Sequence, residues 1–207
     1  MLLSEWFAYI FFKHRLRQKL DSLYELEDPW GAELLRDFFV PIIREQMKAL
    51  DPEVLRAPLL DAGGGEGHYL PPLRDLVSEY HLVEISAKAL ARAKPRAEGG
   101  RSRFVQQSLD EFHPAPDTYG VILLISILTY LGAGRYPQLF ARTLSRLWSS
   151  LKPGGLILLI HPYYSDEERK TVVAFGETFL RLGGKLNLSE DKRLGKQQFI
   201  LQAIRKV

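Results

Sequence analysis

The stretch APLLDAGGGEGHYLPPL, Ala57–Leu73, decides how the rest of the chain is read. Aliphatic residues run into an aspartate, then into glycines, then into a segment where a helix can begin. A glycine turn that leaves a buried strand lets the backbone approach a ligand closely, whether a pyrophosphate or an adenosyl group, or simply makes a tight connection. The dinucleotide fingerprint is G-x-G-x-x-G. Gly63 and Gly65 fill its first two positions, but His68 stands at the third, which disfavours a nucleotide-dependent oxidoreductase. The spacing is instead G-x-G-x-G over Gly63, Gly65 and Gly67. Asp61 ends the strand before them, where its carboxylate can hold loop amides or a ligand ammonium. Glu84 ends the next strand, YHLVEIS, roughly 20 residues on, where an acid can grip two ribose hydroxyls.

Outward from this point the chain alternates. LLDA, YHLVEIS, SRFVQQS, GVILLIS and LILLIHP read as strands. The wholly apolar run Gly120–Ser126 is of the kind buried on both faces of a parallel sheet. Between them, His68–Tyr80 is expected as helix, SAKALARAK as a helix capped by Ser86, YPQLFARTLSRLWSSL as a helix with Pro137 in its first turn, and Ser165–Leu182 as a helix stopped by Gly183 and Gly184. Two strand-like runs, Lys185–Leu188 and Gln198–Ile204, form a terminal hairpin. Strands alternating with helices imply parallel βαβ units, with ligands bound beyond the carboxyl ends of the strands near the switch point.

The 207 residues suit one sizeable core, and 46% hydrophobic with 26% charged residues is ordinary for a globular protein. The absence of cysteine excludes a disulfide framework, a thiolate zinc site and a cysteine nucleophile. It fits a reducing compartment, and a cytoplasmic location is expected; no metal-ligating set is read from the sequence. The net charge of +3 and pI near 9.0 are mildly basic, but Lys and Arg are mixed with Asp and Glu rather than gathered in a stripe.

LLDAGGGEGHY followed by VEISAKALARAK resembles the first two motifs of the class I S-adenosylmethionine-dependent methyltransferases. FVQQSLDEF resembles the third, YGVILLISILTYL the fourth and LKPGGLILLI the strand-five motif, so the resemblance covers roughly Pro58–Ile160. It implies an α/β, Rossmann-like fold with a mostly parallel seven-stranded sheet, an antiparallel last strand and an amino-terminal helical extension. It implies S-adenosyl-L-methionine as cofactor, with Asp61, Gly63, Gly65 and Gly67 at its methionine side. Glu84 would take the ribose hydroxyls and Ile85 would pack on the adenine, which Ser108 and Leu109 would also address. Leu124 and Ile125 would border the sulfonium. Two departures stand out: the family usually carries an acid at Ser108, with Asp110 close by here, and another at Gly120.

Methyl transfer needs alignment above all, and a base only when the nucleophile arrives protonated. His161, ending LLIH on the expected rim, is the candidate base, with Tyr163 and Tyr164 placed to shape an acceptor. His68 follows the glycine loop, where it could touch the cofactor's carboxylate or cap a helix. His14, His81 and His113 read as ordinary surface, strand and loop residues.

Residues 1–52 read as a helical extension or lid and 53–207 as the cofactor-binding domain. Leu3, Trp6, Phe7, Ile10 and Phe11 recur at helical spacing, on a run too short to span a bilayer. This face suits packing on its own domain, a dimer contact or a membrane surface. Glu33–Leu50 reads as a second helix in which Pro41 can form a kink. In some family members, including nodulation-factor N-methyltransferases, a segment like DPWG closes over the cofactor, which makes Trp30 a lid candidate.

For the acceptor, no Asn/Asp-Pro-Pro-aromatic segment follows strand four, and without cysteine the covalent route to 5-methylpyrimidines is closed. With no appended nucleic-acid-binding domain evident, the expectation is a methyltransferase acting on an O or N of a small molecule, with nucleic acid not a partner. The alternative is a catalytically weak, methyltransferase-like subunit acting through a protein partner.

Overall fold

The computed structural model describes residues 3–28, 31–131 and 136–207. Helices α1 (Leu3–Leu23) and α2 (Ala32–Lys48) and the single turn α3 (Pro52–Leu55) precede the sheet. Then come β1 (Leu59–Ala62), α4 (Leu70–Leu73), β2 (Tyr80–Glu84), α5 (Ala87–Ala93) and β3 (Ser102–Gln106). The chain continues through β4 (Tyr119–Ile125), α6 (Pro137–Ser150), β5 (Leu151–Tyr163), α7 (Asp166–Arg181), β6 (Gly184–Leu194) and β7 (Gln197–Lys206).

The strands form one seven-stranded sheet in the order β3-β2-β1-β4-β5-β7-β6. The first five pair in parallel, and β7 runs antiparallel to both β5 and β6. The expected mostly parallel sheet with its antiparallel last strand is therefore present. The winding reverses between β1 and β4, so the loops after these strands open a crevice at the switch point.

Alternation along each strand divides the core in two. Leu59, Leu82, Val121, Leu123, Leu156, Leu158 and Ile160 meet Phe39, Ile43 and Met47 of α2, Leu70 and Leu73 of α4, and Leu90 of α5. Leu60, Val83, Ile122, Leu124, Ile157 and Leu159 meet Phe140, Leu144 and Leu147 of α6 and Val172 and Phe179 of α7. Each such aliphatic side chain contributes about 1.5–3 kcal/mol on burial, which is why the central strand β4 is wholly apolar from Val121 to Ile125.

The capped helices form as read: the Ser86 and Ser165 hydroxyls accept the amides of Ala89 and Glu168. Pro41 lies inside α2 without splitting it. The helix expected over His68–Tyr80 is cut to α4 and a 3₁₀ turn, Arg74–Leu76, before Val77 becomes extended. Pro71 and Pro72 suit a first turn, where an amide has no partner to lose. Arg44 of α2 then clasps the Asp75 carboxylate at 2.6 and 2.7 Å, holding the short form against the second layer. Gly120 is dictated by packing, since a Cβ there would lie 2.0 Å from the Val54 carbonyl oxygen. It opens β4, at the end opposite the crevice, so no acid could stand there.

Helix α1 lies on its own domain, and the buried side is Tyr9, Leu20 and, beyond the helix, Tyr24, with Leu16 partly covered. Ile10 and Phe11, expected on the packed stripe, are 41% and 56% exposed. No helix among the described residues is long and apolar enough to cross a membrane. Trp30 and its lid role lie outside the described residues.

Candidate active site

The crevice at the switch point is a cavity of about 340 Å³, within the range of small-ligand and cofactor sites. Asp61, Gly63, Gly65, Glu84, Ile85, Ser108, Leu109, Ile125 and His161 all border it. Two expected residues do not. Gly67 packs into the protein, where a Cβ would press Ala93 and Leu82 at 3.2 Å. Leu124 is fully buried against α6, because strand alternation turns it away from the rim.

Glu84 is 5% exposed. Its Oε2 accepts the Gly65 amide at 3.2 Å and its Oε1 the Ser86 amide at 2.8 Å. Burial pushes this carboxyl above its usual range, and the same amides oppose that push. With four lone-pair sites and amides of Gly65, Ser86 and Ile85 around it, the carboxylate keeps acceptor capacity for a ligand hydroxyl. The carboxylate thus ties the glycine loop to the end of β2 and faces the crevice, a fit for the ribose of S-adenosylmethionine.

Asp61 is fully buried and receives the Tyr80 hydroxyl. Burial, together with the charge of Glu84, raises it to about 7 although Tyr80 pulls the other way. Its carboxyl group lies over Gly64, where a Cβ would sit 2.3 Å from Oδ2. The middle glycine is required by the aspartate as much as by any ligand. Gly63, Gly65 and Gly67 all have positive φ, 75°, 53° and 69°, the left-handed conformation that L side chains avoid.

At the end of the crevice beyond β3, Ser108 donates to Asp110, which also receives Lys13 and the Tyr9 hydroxyl. The acid displaced by two positions from its usual place therefore holds α1 down rather than lining the crevice. Asp21 of α1 accepts the Ser86 hydroxyl, and Glu25 pairs with Lys88. These ties seat Leu16, Leu20 and Tyr24 over the cavity.

At the other end stands His161, buried at the tip of β5; burial lowers its imidazole to about 4, so it is neutral at physiological pH and able to accept a proton. Pro162, Tyr130, Tyr164 and Gln197 complete this side. Tyr164 is 75% exposed at the mouth and accepts a bond from Gln197 at 2.8 Å. Tyr163 does not join them: its hydroxyl donates to Asp191 and its ring is part of the core. Ser126, just beyond β4, adopts φ 55° while bordering the cavity, a strain typical of functional loops. Sequence reasoning passed over Ser126, Tyr69, Tyr130 and Gln197, while Tyr24, which precedes the lid segment, does border the cavity. Only Ser126 and Tyr130, which lie within the fourth motif, had a local signal. His81 meets the Tyr119 hydroxyl at 3.2 Å and His113 meets Arg146, both away from the cavity.

Residues 60–157 match the family model described as "Methyltransferase domain". A tRNA 5-carboxymethoxyuridine methyltransferase from Escherichia coli K12 is 29% identical over 119 residues, 54% of this chain. The aligned region is 41% of that relative's own length. A Leishmania major S-adenosylmethionine-dependent methyltransferase superposes with a TM-score of 0.74 at 16% identity, covering 93% of this chain and 82% of that one. The N-methyltransferase NodS from Bradyrhizobium japonicum, solved with S-adenosyl-L-homocysteine, gives 0.71 at 14% identity, covering 92% and 97%. The tRNA methyltransferase overturns one expectation: nucleic acid cannot be set aside as a partner in favour of a small molecule, because charge balance over the whole chain says little about a local docking face. The matched core over residues 60–157 and the seven-stranded topology together identify a methyltransferase domain with the fold of the class I S-adenosylmethionine-dependent methyltransferases.

Proposed function

We propose that this protein transfers a methyl group from S-adenosylmethionine to an oxygen or nitrogen of a nucleoside within an RNA. When bound, the cofactor supplies a methyl carbon activated by a positive sulfur. The chain's own work is then alignment, worth roughly 7–11 kcal/mol in favourable cases. Glu84 holds the ribose hydroxyls, Ile85 and Leu109 offer apolar faces to the adenine, and residues 1–52 act as a lid through Leu16, Leu20 and Tyr24. His161, neutral and sheltered, takes the proton when the acceptor atom carries one.

The observation that carries the reading is the buried Glu84 carboxylate at the switch-point crevice, with His161 bordering the same cavity. For the acceptor, the support is the kinship with a tRNA enzyme and the make-up of the mouth. Exposed Tyr164 beside Tyr130 offers a stacking surface for an unpaired base. Exposed Arg193 and Lys196 flank the hairpin turn next to Gln197, where they can meet phosphates.

The test is transfer of labelled methyl from S-adenosylmethionine into bulk tRNA and, separately, into the small-molecule fraction of an extract. Label is expected in RNA. Glu84→Ala should weaken binding of S-adenosylhomocysteine by about 1–3 kcal/mol. His161→Ala should slow transfer while sparing that affinity, and the wild-type rate should show no inflection near pH 6.5. Lys196→Glu should weaken RNA binding alone. Label confined to small molecules would replace the acceptor, and cofactor binding without transfer to any fraction would leave a non-catalytic subunit.

A further inference from the structure

Two consecutive side chains just beyond the glycine loop each carry a buried polar atom with no protein partner: Nδ1 of His68 and the hydroxyl oxygen of Tyr69. His68 is 5% exposed and Tyr69 7%, and both border the crevice beside Asp61 and Gly64. Buried polar groups are nearly always satisfied, so two neighbours bare at one cavity mark where a polar ligand is received.

Their chemistry says which ligand groups. Glu66, itself buried, accepts a bond from Arg92 at 2.7 Å and lies 3.9 Å from Arg96. Its other contact is Nε2 of His68 at 3.3 Å. A carboxylate held by arginines only accepts, so the imidazole proton resides on Nε2 and Nδ1 presents a lone pair. Burial, with Arg96 nearby, lowers this imidazole and keeps it neutral. The Tyr69 hydroxyl is held protonated by burial and by the charge of Asp61, so it is a donor.

An acceptor and a donor bordering one cavity match the ammonium and carboxylate of an α-amino acid. The other candidate for the ammonium, Asp61, already receives the Tyr80 hydroxyl, and its burial favours the uncharged carboxyl, a weaker partner for a cation. Among the described residues no Lys or Arg borders the crevice, so a ligand carboxylate there is met by neutral donors. We infer that His68 and Tyr69 clamp the methionine end of the cofactor, Nδ1 accepting from its ammonium and the Tyr69 hydroxyl donating to its carboxylate.

This assignment rests on the cofactor reading above, and calorimetry separates the two. The probes are S-adenosylhomocysteine and 5′-methylthioadenosine, which has the same nucleoside but no amino-acid end. Tyr69→Phe removes only the hydroxyl. His68→Gln places its amide where Nε2 was, keeping the contact to Glu66 but removing the acceptor at Nδ1. Each should weaken S-adenosylhomocysteine by about ten-fold or more and leave 5′-methylthioadenosine unchanged. His68→Asn, whose side-chain oxygen can occupy the Nδ1 position, should restore most of the loss. Using homocysteine analogues, the His68→Gln defect should vanish when the ligand lacks its amino group, and the Tyr69→Phe defect when it lacks its carboxylate. Wild-type affinity in both variants would overturn the clamp alone, as would equal losses for both probes. A wild-type protein that binds neither probe would overturn the cofactor reading and the clamp with it.

Discussion

Asp61 and Glu84 end neighbouring parallel strands, so two carboxyl groups converge on one crevice and burial raises both. For Asp61 the consequence can be measured. An unfolded aspartate ionises near 3.9, whereas the folded one does so at about 7. Between these values the native state holds a proton that the unfolded chain has lost. Stability should therefore fall as pH rises from about 4 to about 7, and level off above. Asp61→Asn should abolish that slope, raising the stability of the ligand-free protein at pH 8 by roughly 2–4 kcal/mol relative to pH 4. Urea melts across that range provide the measurement, and an unaltered slope would mean the carboxylate is ionised throughout. Both acids were legible because a polar residue ending an apolar strand has one natural place to go. His68 was legible only as a residue that could touch the cofactor's carboxylate or cap a helix, and Tyr69 not at all, because which of their atoms is satisfied depends on Glu66, Arg92 and the packing of a helix turn.

At the scale of elements, tertiary contacts overrode local preference in two places. The segment after the glycine loop makes only one α turn because Arg44 of α2 holds Asp75. Gly120 replaces a family acid because α3 crosses the start of β4 with the Val54 carbonyl against it. Gly120→Ala should cost at least about 2 kcal/mol by overpacking, seen as a lower urea midpoint with unchanged slope; a neutral effect would mean that α3 shifts freely. Helix α1 is tied by Lys13, Asp21 and Glu25 to residues around the cavity. Its exposed Arg15, Arg17 and Lys19 are natural trypsin sites. If α1 is a lid, S-adenosylhomocysteine should slow cleavage there several-fold, since cleavage requires local opening. Equal rates with and without the ligand would leave α1 as fixed packing.

The whole molecule is a three-layer α/β unit whose ligand site exists only where β1 and β4 part. The lining comes from α1, the glycine loop, the ends of β2 and β4, and the β6–β7 hairpin, so binding should couple these segments to global stability. S-adenosylhomocysteine at about a hundred times its Kd should add about 2.7 kcal/mol and raise Tm by about 5–10 °C. NAD at the same concentration should leave Tm unmoved. A shift with NAD instead would reverse the choice made at His68.

From the sequence alone came the strand-helix alternation, the antiparallel terminal hairpin and the two strand-end acids, because hydrophobic periodicity, caps and glycine spacing are local and each residue carries its own part of the signal. Only the tertiary structure decided that Gly67 and Leu124 turn away from the crevice, that Tyr164 rather than Tyr163 guards its mouth, and that His68 and Tyr69 present bare polar atoms to it. Those outcomes depend on which face of a strand or turn meets a partner distant in the chain, and such meetings are set by packing.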